Sequence, residues 1–265
     1  MDDVVPTTAQ TVQDSTAEPL LEAFFTRAEA APDVLALIGP TDRLTYEQLR
    51  AQVLAVAGAL GVAGVRAGDR VAVIGPRDAG AVTAILAILA AGGVCVPIDT
   101  AAAAEPILER TGVRMALFTG DEPPTWLPAL TVSEALRVGA LTHDITPARS
   151  VPGDPAYLQF ADQTGSDAVV ITHNAAREAA ADLRGRLGAD AGVAAFARPA
   201  VAQPVLTVLT ALTAGVAIVV VDDAPVRSSE RRKPRGTART RSPSKTQISG
   251  RRPGVVSVSE TAVPS

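Results

Sequence analysis

Apolar residues recur along the first part of the chain with the spacing of amphipathic helices and short buried strands. Residues 20–31 carry apolar side chains at helical spacing, and Val34–Ile38 is a short apolar run that ends at a Gly-Pro turn. Thr45 with Gln48 three residues later has the pattern of a capping box, which predicts a helix that runs to about Leu60. The first 60 residues therefore predict helix, strand and helix.

Further along, runs that are apolar throughout alternate with helical stretches in two blocks. Strands of this kind, alternating with helices, are typical of a parallel sheet that is covered on both faces. We therefore predict an α/β fold in which alternating strands and helices form mainly parallel sheets. The first block predicts strands Arg70–Ile74, Val94–Ile98 and Val113–Phe118 with helices Ala79–Ala91 and Glu105–Thr111; the second predicts strands Ala156–Phe160, Ala168–Thr172, Val193–Phe196 and Val216–Val221 with helices Ala175–Leu187 and Val205–Leu212.

The ends of the chain lack this periodicity. Residues 224–265 mix Arg, Ser, Pro and Thr with few large apolar side chains, so burial cannot offset the entropy of ordering them. We expect a flexible N-terminus at 1–17, one domain at 18–223 and a disordered basic tail at 224–265. Residues 119–153 are a Pro-containing connection within the domain, with one helix near Ser133–Val138.

Charge is divided between the two parts of the sequence. The net charge is −4, but residues 226–265 hold 10 Lys and Arg against 2 acidic residues, whereas residues 1–225 hold 14 Arg against 26 acidic residues. Both lysines, Lys233 and Lys245, lie in the tail. Any chemistry in residues 1–225 that requires an ammonium group therefore has none to use.

Composition excludes several classes of protein. A single cysteine, Cys95, excludes an internal disulfide, and two histidines without metal-ligand spacing argue against a zinc site. The acidic N-terminus does not resemble a secretion signal, so we expect a cytoplasmic protein. The uncharged runs 79–98 and 199–221 approach the length of a membrane span, but their Gly and Pro breaks favour buried elements of an α/β core.

Three segments, in order and at the expected spacing, resemble the adenylate-forming superfamily of AMP-dependent synthetases and ligases. They read LTYEQL at Leu44–Leu49, LAAGGVCVPID at Leu89–Asp99 and AYLQFADQTGSDAVVITH at Ala156–His173. The sequence is most similar to the amino-acid-activating adenylation domains of nonribosomal peptide synthetases. The resemblance covers about residues 18–223 and implies the N-terminal half of that family's large domain.

The third segment resembles the family's phosphate loop, in which glycines, hydroxyls and a lysine hold the triphosphate of ATP. Only Thr164 and Gly165 match that loop firmly, so they are the nucleotide-binding candidates. Asp162 stands where a hydroxyl is expected, Asp167 adds a second negative charge, and the lysine has no counterpart. ATP and Mg²⁺ are expected as cofactors only if the ancestral activity survives, because this loop repels a triphosphate.

Other family features have no counterpart. The segment Phe196–Ala200 lacks the aspartate that would bind a substrate amino group, and the adenine, ribose and C-terminal lysine motifs do not follow. We therefore expect a truncated adenylate-forming protein without full adenylation activity, acting as a scaffold or remnant, with no catalytic or metal-binding residue to assign. The alternative is an AMP-forming, acid-activating ligase that works with a synthetase partner that supplies the missing half.

The remaining candidates have plain structural interpretations. His173 follows a strand that the family places beside the loop, where a structural role is favoured over a general base. Cys95 lies in an apolar strand without a neighbouring base, so a buried hydrophobe is favoured over a nucleophile, and His143 is assigned to a polar connection. The cluster Arg231–Arg235 raises binding of nucleic acid or anionic lipid as a second alternative, although no interleaved aromatics support it. Uncovered sheet edges predict self-association.

Overall fold

The computed structural model describes residues 20–99, 104–120, 127–142, 145–160, 168–187, 193–196 and 204–220. The predictions for the N-terminus at 1–17 and the basic tail at 224–265 lie outside these residues. Seven helices are described: α1 Glu22–Ala30, α2 Tyr46–Val62, α3 Ala79–Ala90, α4 Ala104–Thr111, α5 Val132–Gly139, α6 His173–Leu187 and α7 Pro204–Thr213.

Ten strands are described, and they form two sheets. They are β1 Leu35–Ile38, β2 Arg43–Thr45, β3 Arg70–Ile74, β4 Val94–Ile98, β5 Met115–Phe118, β6 Ala129–Thr131, β7 Pro155–Phe160, β8 Ala168–Thr172, β9 Val193–Phe196 and β10 Ala217–Val220. The larger sheet has the order β6-β5-β3-β4-β7-β8, and the smaller one has the order β2-β1-β10-β9. Among the described strands, only the β7–β8 and β1–β2 pairs are antiparallel, which confirms the predicted α/β fold with mainly parallel sheets.

Local sequence signals explain where several helices begin. The Thr45 hydroxyl accepts a hydrogen bond from the Gln48 N–H at 3.3 Å, and the Gln48 amide oxygen accepts from the Thr45 N–H at 3.0 Å. The predicted capping box is therefore confirmed. Thr131 and Glu134 form a second capping box at the start of α5, which sequence analysis did not identify.

Helix α3 lies in the centre of the domain. Its residues 81–90 are all buried, and the adjoining strand β4 is buried at four of its five positions. The uncharged run 79–98 is therefore a core helix followed by a core strand, as expected. Within the described part of the chain, no helix has both the length and the hydropathy needed to cross a membrane.

The elements that sequence analysis missed are two very short strands, and the bounds of α6 and β5 differ from the predicted ones by two residues. Strands β2 and β6, with three residues each, were not predicted. A run of three residues contains too few positions to establish a period of two. Both strands lie at sheet edges. They are strands because their backbones pair with one neighbouring strand, and their side chains show no pattern from which this could be predicted.

Candidate functional site

The candidate site is the carboxyl edge of the six-stranded sheet. Strands β3, β4, β5 and β7 are mutually parallel, so their carboxyl ends at Ile74, Ile98, Phe118 and Phe160 meet at one edge. Ligands of open α/β sheets bind outside the carboxyl ends of the strands. The residues that follow these four strands are therefore the ones to consider.

The nucleotide-loop candidates belong to this edge by topology. Phe160 pairs with Ala168 in the antiparallel β7–β8 hairpin, so residues 161–167 connect the two strands at the carboxyl end of β7. Thr164 and Gly165 themselves lie outside the described residues. Strand β7 also pairs with β4, with Cys95 opposite Tyr157, so the hairpin connection follows the strand next to the one that ends at Asp99.

An ion pair joins the ends of β3 and β4. The Arg77 Nε lies 2.9 Å from the Asp99 Oδ1 and its Nη2 lies 3.1 Å from the Asp99 Oδ2, which is a bidentate geometry. The two side chains are only 10% and 27% exposed. Bidentate pairs of this kind are among the stronger polar contacts in proteins, so the Asp99 carboxylate engages two nitrogens of the Arg77 guanidinium.

Further hydrogen bonds join the end of β3 to the ends of β4 and β5. Gly75 has a φ of +126°, and its N–H donates to the Ile98 carbonyl oxygen at 3.1 Å. The Thr119 hydroxyl donates to the Pro76 carbonyl oxygen at 2.9 Å, and a Cβ at residue 75 would lie 2.5 Å from that hydroxyl oxygen. Glycine is needed here both for its backbone conformation and for the close approach of Thr119.

The N-terminus of α3 opens at the same edge and is closed by its own cap. The Asp78 Oδ1 accepts a hydrogen bond from the Ala81 N–H at 2.8 Å. Burial raises the pKa of the Asp78 carboxyl, while hydrogen bonds from backbone N–H groups oppose that change. The positive end of the helix is therefore occupied by an internal carboxylate, as is usual for an N-cap aspartate.

His173 follows the end of β8 that lies opposite Ala168, the first described residue after the nucleotide-loop candidates. Thr172 pairs with Pro155 at the far end of the hairpin, four residues along β8 from Ala168. At about 3.4 Å per residue this separation is about 14 Å. His173 is the first residue of α6 and is 5% exposed, which fits the structural interpretation favoured from the sequence.

Cys95 occupies the centre of β4 and is completely buried. Burial raises the pKa of its thiol, so a thiolate is disfavoured, in agreement with its interpretation as a buried hydrophobe. His143 lies outside the described residues. Within the described ranges, no group of three or more His, Cys, Asp or Glu side chains could hold a metal ion.

Sequence analysis singled out the loop candidates Thr164 and Gly165, which stay a prediction, but not the residues that end the neighbouring strands. Asp99 was noted only as the last residue of the family-like segment Leu89–Asp99, and Arg77 was not singled out. The available signal was an Arg three residues after one predicted strand and an Asp directly after the next. In a parallel sheet, these positions come together at the carboxyl edge.

Comparison with known proteins identifies relatives of this arrangement. The chain is 46% identical over 220 residues to phenyloxazoline synthase MbtB of Mycobacterium sp. (strain MCS), an alignment that covers 80% of this chain and 19% of that protein. It is 38% identical over 167 residues to pyochelin synthetase PchE of Pseudomonas aeruginosa, covering 61% of this chain and 11% of that protein. The chain thus spans a fifth or less of the length of these relatives.

Solved structures share the fold. A nonribosomal peptide synthetase, FmoA3, superposes with a TM-score of 0.68 at 28% identity, covering 83% of this chain and 24% of that one. The N-terminal subdomain of Klebsiella oxytoca NpsA in complex with 3-hydroxybenzoyl-AMSN superposes with a TM-score of 0.65 at 20% identity, covering 77% and 54%. At that identity the second likeness concerns the fold alone.

The family model described as AMP-binding enzyme matches residues 24–235. This range contains the two sheets, the carboxyl edge and the nucleotide-loop candidates. The resemblance inferred from the three sequence segments is thereby confirmed. The chain belongs to the AMP-binding enzyme family and is homologous to the N-terminal part of nonribosomal peptide synthetase adenylation domains.

Proposed function

We propose that this chain is a structural member of the AMP-binding enzyme family that does not activate an acid by itself. It keeps the α/β core and contributes an interaction surface, with a synthetase protein as the partner. The observation that carries this proposal is the shortage of cations at the carboxyl edge. Residues 1–225 contain no lysine, and Arg77 is engaged by Asp99 at 2.9 and 3.1 Å.

Charge is decisive because adenylate formation develops negative charge on the phosphorus that is attacked. Preorganised cations and N–H donors supply most of the stabilisation of such a transition state. A triphosphate at this edge would have to compete with the Asp99 carboxylate for the Arg77 guanidinium. The carboxylate has the advantage of a fixed bidentate geometry, so the competition favours the ion pair within the chain.

The loop sequence supports the same conclusion. Asp162 and Asp167 flank Thr164 and Gly165, so two carboxylates replace the neutral or basic side chains expected in a phosphate loop. Carboxylates close to a triphosphate raise the free energy of binding because like charges repel. Mg²⁺ would reduce this repulsion but would not supply the missing lysine.

The alternative is an acid-activating, AMP-forming ligase in which a partner chain supplies the other half. The identity of 46% to a phenyloxazoline synthase favours it, as does the likeness to FmoA3 in its AMPPNP-bound form, with 28% identity and a TM-score of 0.67. In this alternative, Thr164 and Gly165 contact the phosphates, ATP and Mg²⁺ are the cofactors, and the chain is active only in the assembly.

Calorimetric titration of the full chain with ATP and Mg²⁺ distinguishes the two proposals. The scaffold proposal predicts no saturable heat at millimolar ATP, and no acid-dependent exchange of pyrophosphate into ATP with a panel of carboxylic and amino acids. Because the ligase alternative is active only in the assembly, binding of ATP, and not the exchange reaction, decides between the two. Saturable binding that Thr164→Ala or Gly165→Ala abolishes would reject that proposal and support the ligase alternative.

A matched control separates loss of binding from loss of fold. Thr41 lies in an exposed turn before β2, so Thr41→Ala removes the same atoms from a position remote in sequence from the loop. We expect Thr41→Ala to behave like the unmodified chain in both assays. Circular dichroism of all three variants checks that the fold is retained.

A further inference from the structure

The start of α6 is fastened to a turn that precedes β7. The turn closes through a hydrogen bond from the Asp154 N–H to the Val151 carbonyl oxygen, at 2.9 Å, and the Val151 N–H donates to the Asp154 Oδ2, also at 2.9 Å. The His173 N–H donates to the Asp154 carbonyl oxygen at 2.9 Å, and the Asn174 N–H donates to the Pro152 carbonyl oxygen at 2.8 Å. We call residues 151–154 together with 173–174 the α6 junction.

The His173 ring is buried within this junction. Its side chain is 5% exposed, and its Nδ1 has no hydrogen-bond partner among the described residues. The next N–H of the helix, that of Ala175, donates to the Thr172 hydroxyl at 3.2 Å. The first three N–H groups of α6 are therefore satisfied within the chain, which excludes an anion site at this helix end.

The surroundings of the ring offer little compensation for a positive charge. The elements packed against α6 are α7, β8 and β7; α7 and β8 contain no titratable side chain, and β7 contributes only Tyr157. Asp154 is the acidic group of the turn. On α6 itself, Arg177 lies one helical turn from His173 on the same side, with a buried Nε that has no partner, and Glu178 is exposed and bonded to Asn174.

We propose that the α6 junction is an acid-sensitive latch on the edge of the six-stranded sheet, in which protonation of His173 releases the 151–154 turn and the start of α6. Strand β8 ends at this junction and, among the described strands, has a neighbour on one side only. Release of the junction therefore loosens β8, the strand that follows the nucleotide-loop candidates. The proposal does not depend on whether the chain binds ATP.

The direction of the pH effect follows from the state of the ring when the latch is closed. Burial lowers the pKa of His173, and the charge of Asp154 opposes this only in part. When the latch opens, the ring returns to an ordinary pKa of about 6.5. The open form therefore binds more protons, and it gains population as the pH falls below about 6.5, by at most about tenfold per pH unit. The population of the open form stops rising once the pH is below the pKa that His173 has in the closed form.

Hydrogen exchange on the full chain tests the latch directly. The amides of His173 and Asn174 donate across the junction, so their exchange, after correction for the intrinsic effect of pH, should accelerate between pH 7 and pH 5. His173→Gln keeps a polar side chain that does not titrate, so its exchange should show no such acceleration. His143→Gln is the matched control, because it removes the other histidine of the sequence, and it should respond to pH like the unmodified chain.

A second measurement does not require the His173 variant to fold. In His143→Gln, one histidine remains, so the NMR titration of its ring reports His173 alone. A pKa below the ordinary value, with junction amides that lose protection over the same pH range, supports the latch. A pKa at or above the ordinary value overturns it, and so does an acceleration in His173→Gln equal to that of the unmodified chain.

Discussion

The Tyr46 hydroxyl donates a hydrogen bond to the Leu212 carbonyl oxygen at 3.2 Å, which joins the first residue of α2 to the last turn of α7, 166 residues later. The Arg27 guanidinium carbon lies 5.8 Å from the centre of the Tyr46 ring. Tyr46 is completely buried, and burial raises its pKa to about 12. The beginning and the end of the described domain therefore share one core, as the parallel pairing of β1 with β10 also requires.

We predict that Tyr46→Phe lowers the free energy of unfolding by about 1 kcal/mol, the net worth of one hydrogen bond, because the Leu212 carbonyl then keeps only the bond from the Gly215 N–H. Urea denaturation followed by circular dichroism measures the change. Tyr157→Phe, which removes the phenolic hydroxyl of the other tyrosine, is the matched control. A loss below about 0.5 kcal/mol for Tyr46→Phe, within the range of an unremarkable substitution, would contradict the assigned role.

The Arg77–Asp99 pair is predicted to stabilise the carboxyl edge through mutual interaction. Arg77→Met and Asp99→Asn should each cost about 2 to 3 kcal/mol, because each leaves a partly buried charge without this partner. The double variant should lose less stability than the sum of the losses of the two single variants, and this difference, the coupling free energy, should exceed about 1 kcal/mol. Additive effects, within about 0.5 kcal/mol, would show that the two side chains act independently.

An exposed ion pair provides the control for that cycle. Arg186 and Asp182 are paired on the outer face of α6, where their side chains are 74% and 63% exposed. Solvent screens such a pair, so Arg186→Met and Asp182→Asn should couple by at most about 0.5 kcal/mol. The coupling should also decrease with added salt, whereas that of Arg77 with Asp99 should change little.

Substitution by alanine at two helical glycines should change the stability of the protein in opposite directions. A Cβ at Gly139 would overlap the Ala55 carbonyl oxygen at the contact between α5 and α2, so Gly139→Ala should destabilise the protein by about 1 to 3 kcal/mol. A Cβ at Gly185, in α6, meets no atom within 4 Å. Gly185→Ala should therefore stabilise by up to about 1 kcal/mol through helix propensity. Thermal and urea denaturation measure both, and equal effects would contradict the packing at Gly139.

Cys95 should resist alkylation in the folded protein. Its sulfur is buried and burial raises the pKa of the thiol, so both access and thiolate formation are suppressed. Iodoacetamide at pH 8 should modify Cys95 only at the rate of global unfolding, and rapidly in 6 M guanidinium chloride. Fast modification under native conditions, followed by mass spectrometry, would mean that β4 is accessible.

Self-association is expected through the outer edge of β8. Val169 and Val170 are 56% and 40% exposed, and the strand Ala168–Thr172 carries no charged or proline residue that would block edge pairing. Light scattering should detect oligomers that Val170→Lys diminishes. Val62→Lys is the control, because Val62 is 67% exposed but ends a helix. A monomer for the unmodified chain would contradict this prediction.

Local patterns in the sequence were sufficient for most of the secondary structure and for the core. The capping box at Thr45 and Gln48 and the apolar run through α3 and β4 are decided by residues within a few positions of each other. Burial of Cys95 follows from that run as well. These features were predicted because their causes, helix capping and hydrophobic periodicity, act between near neighbours in sequence.

Tertiary structure alone decided which of these elements meet. Arg77 and Asp99 are 22 residues apart and come together only because β3 and β4 are adjacent and parallel. His173 meets the turn before β7 because β7 and β8 are antiparallel. The sequence determined the family, the α/β alternation and the absence of lysine from residues 1–225. The strand order and register, set by long-range burial and backbone pairing that no short segment encodes, decided the ion pair at the carboxyl edge and the closed junction around His173.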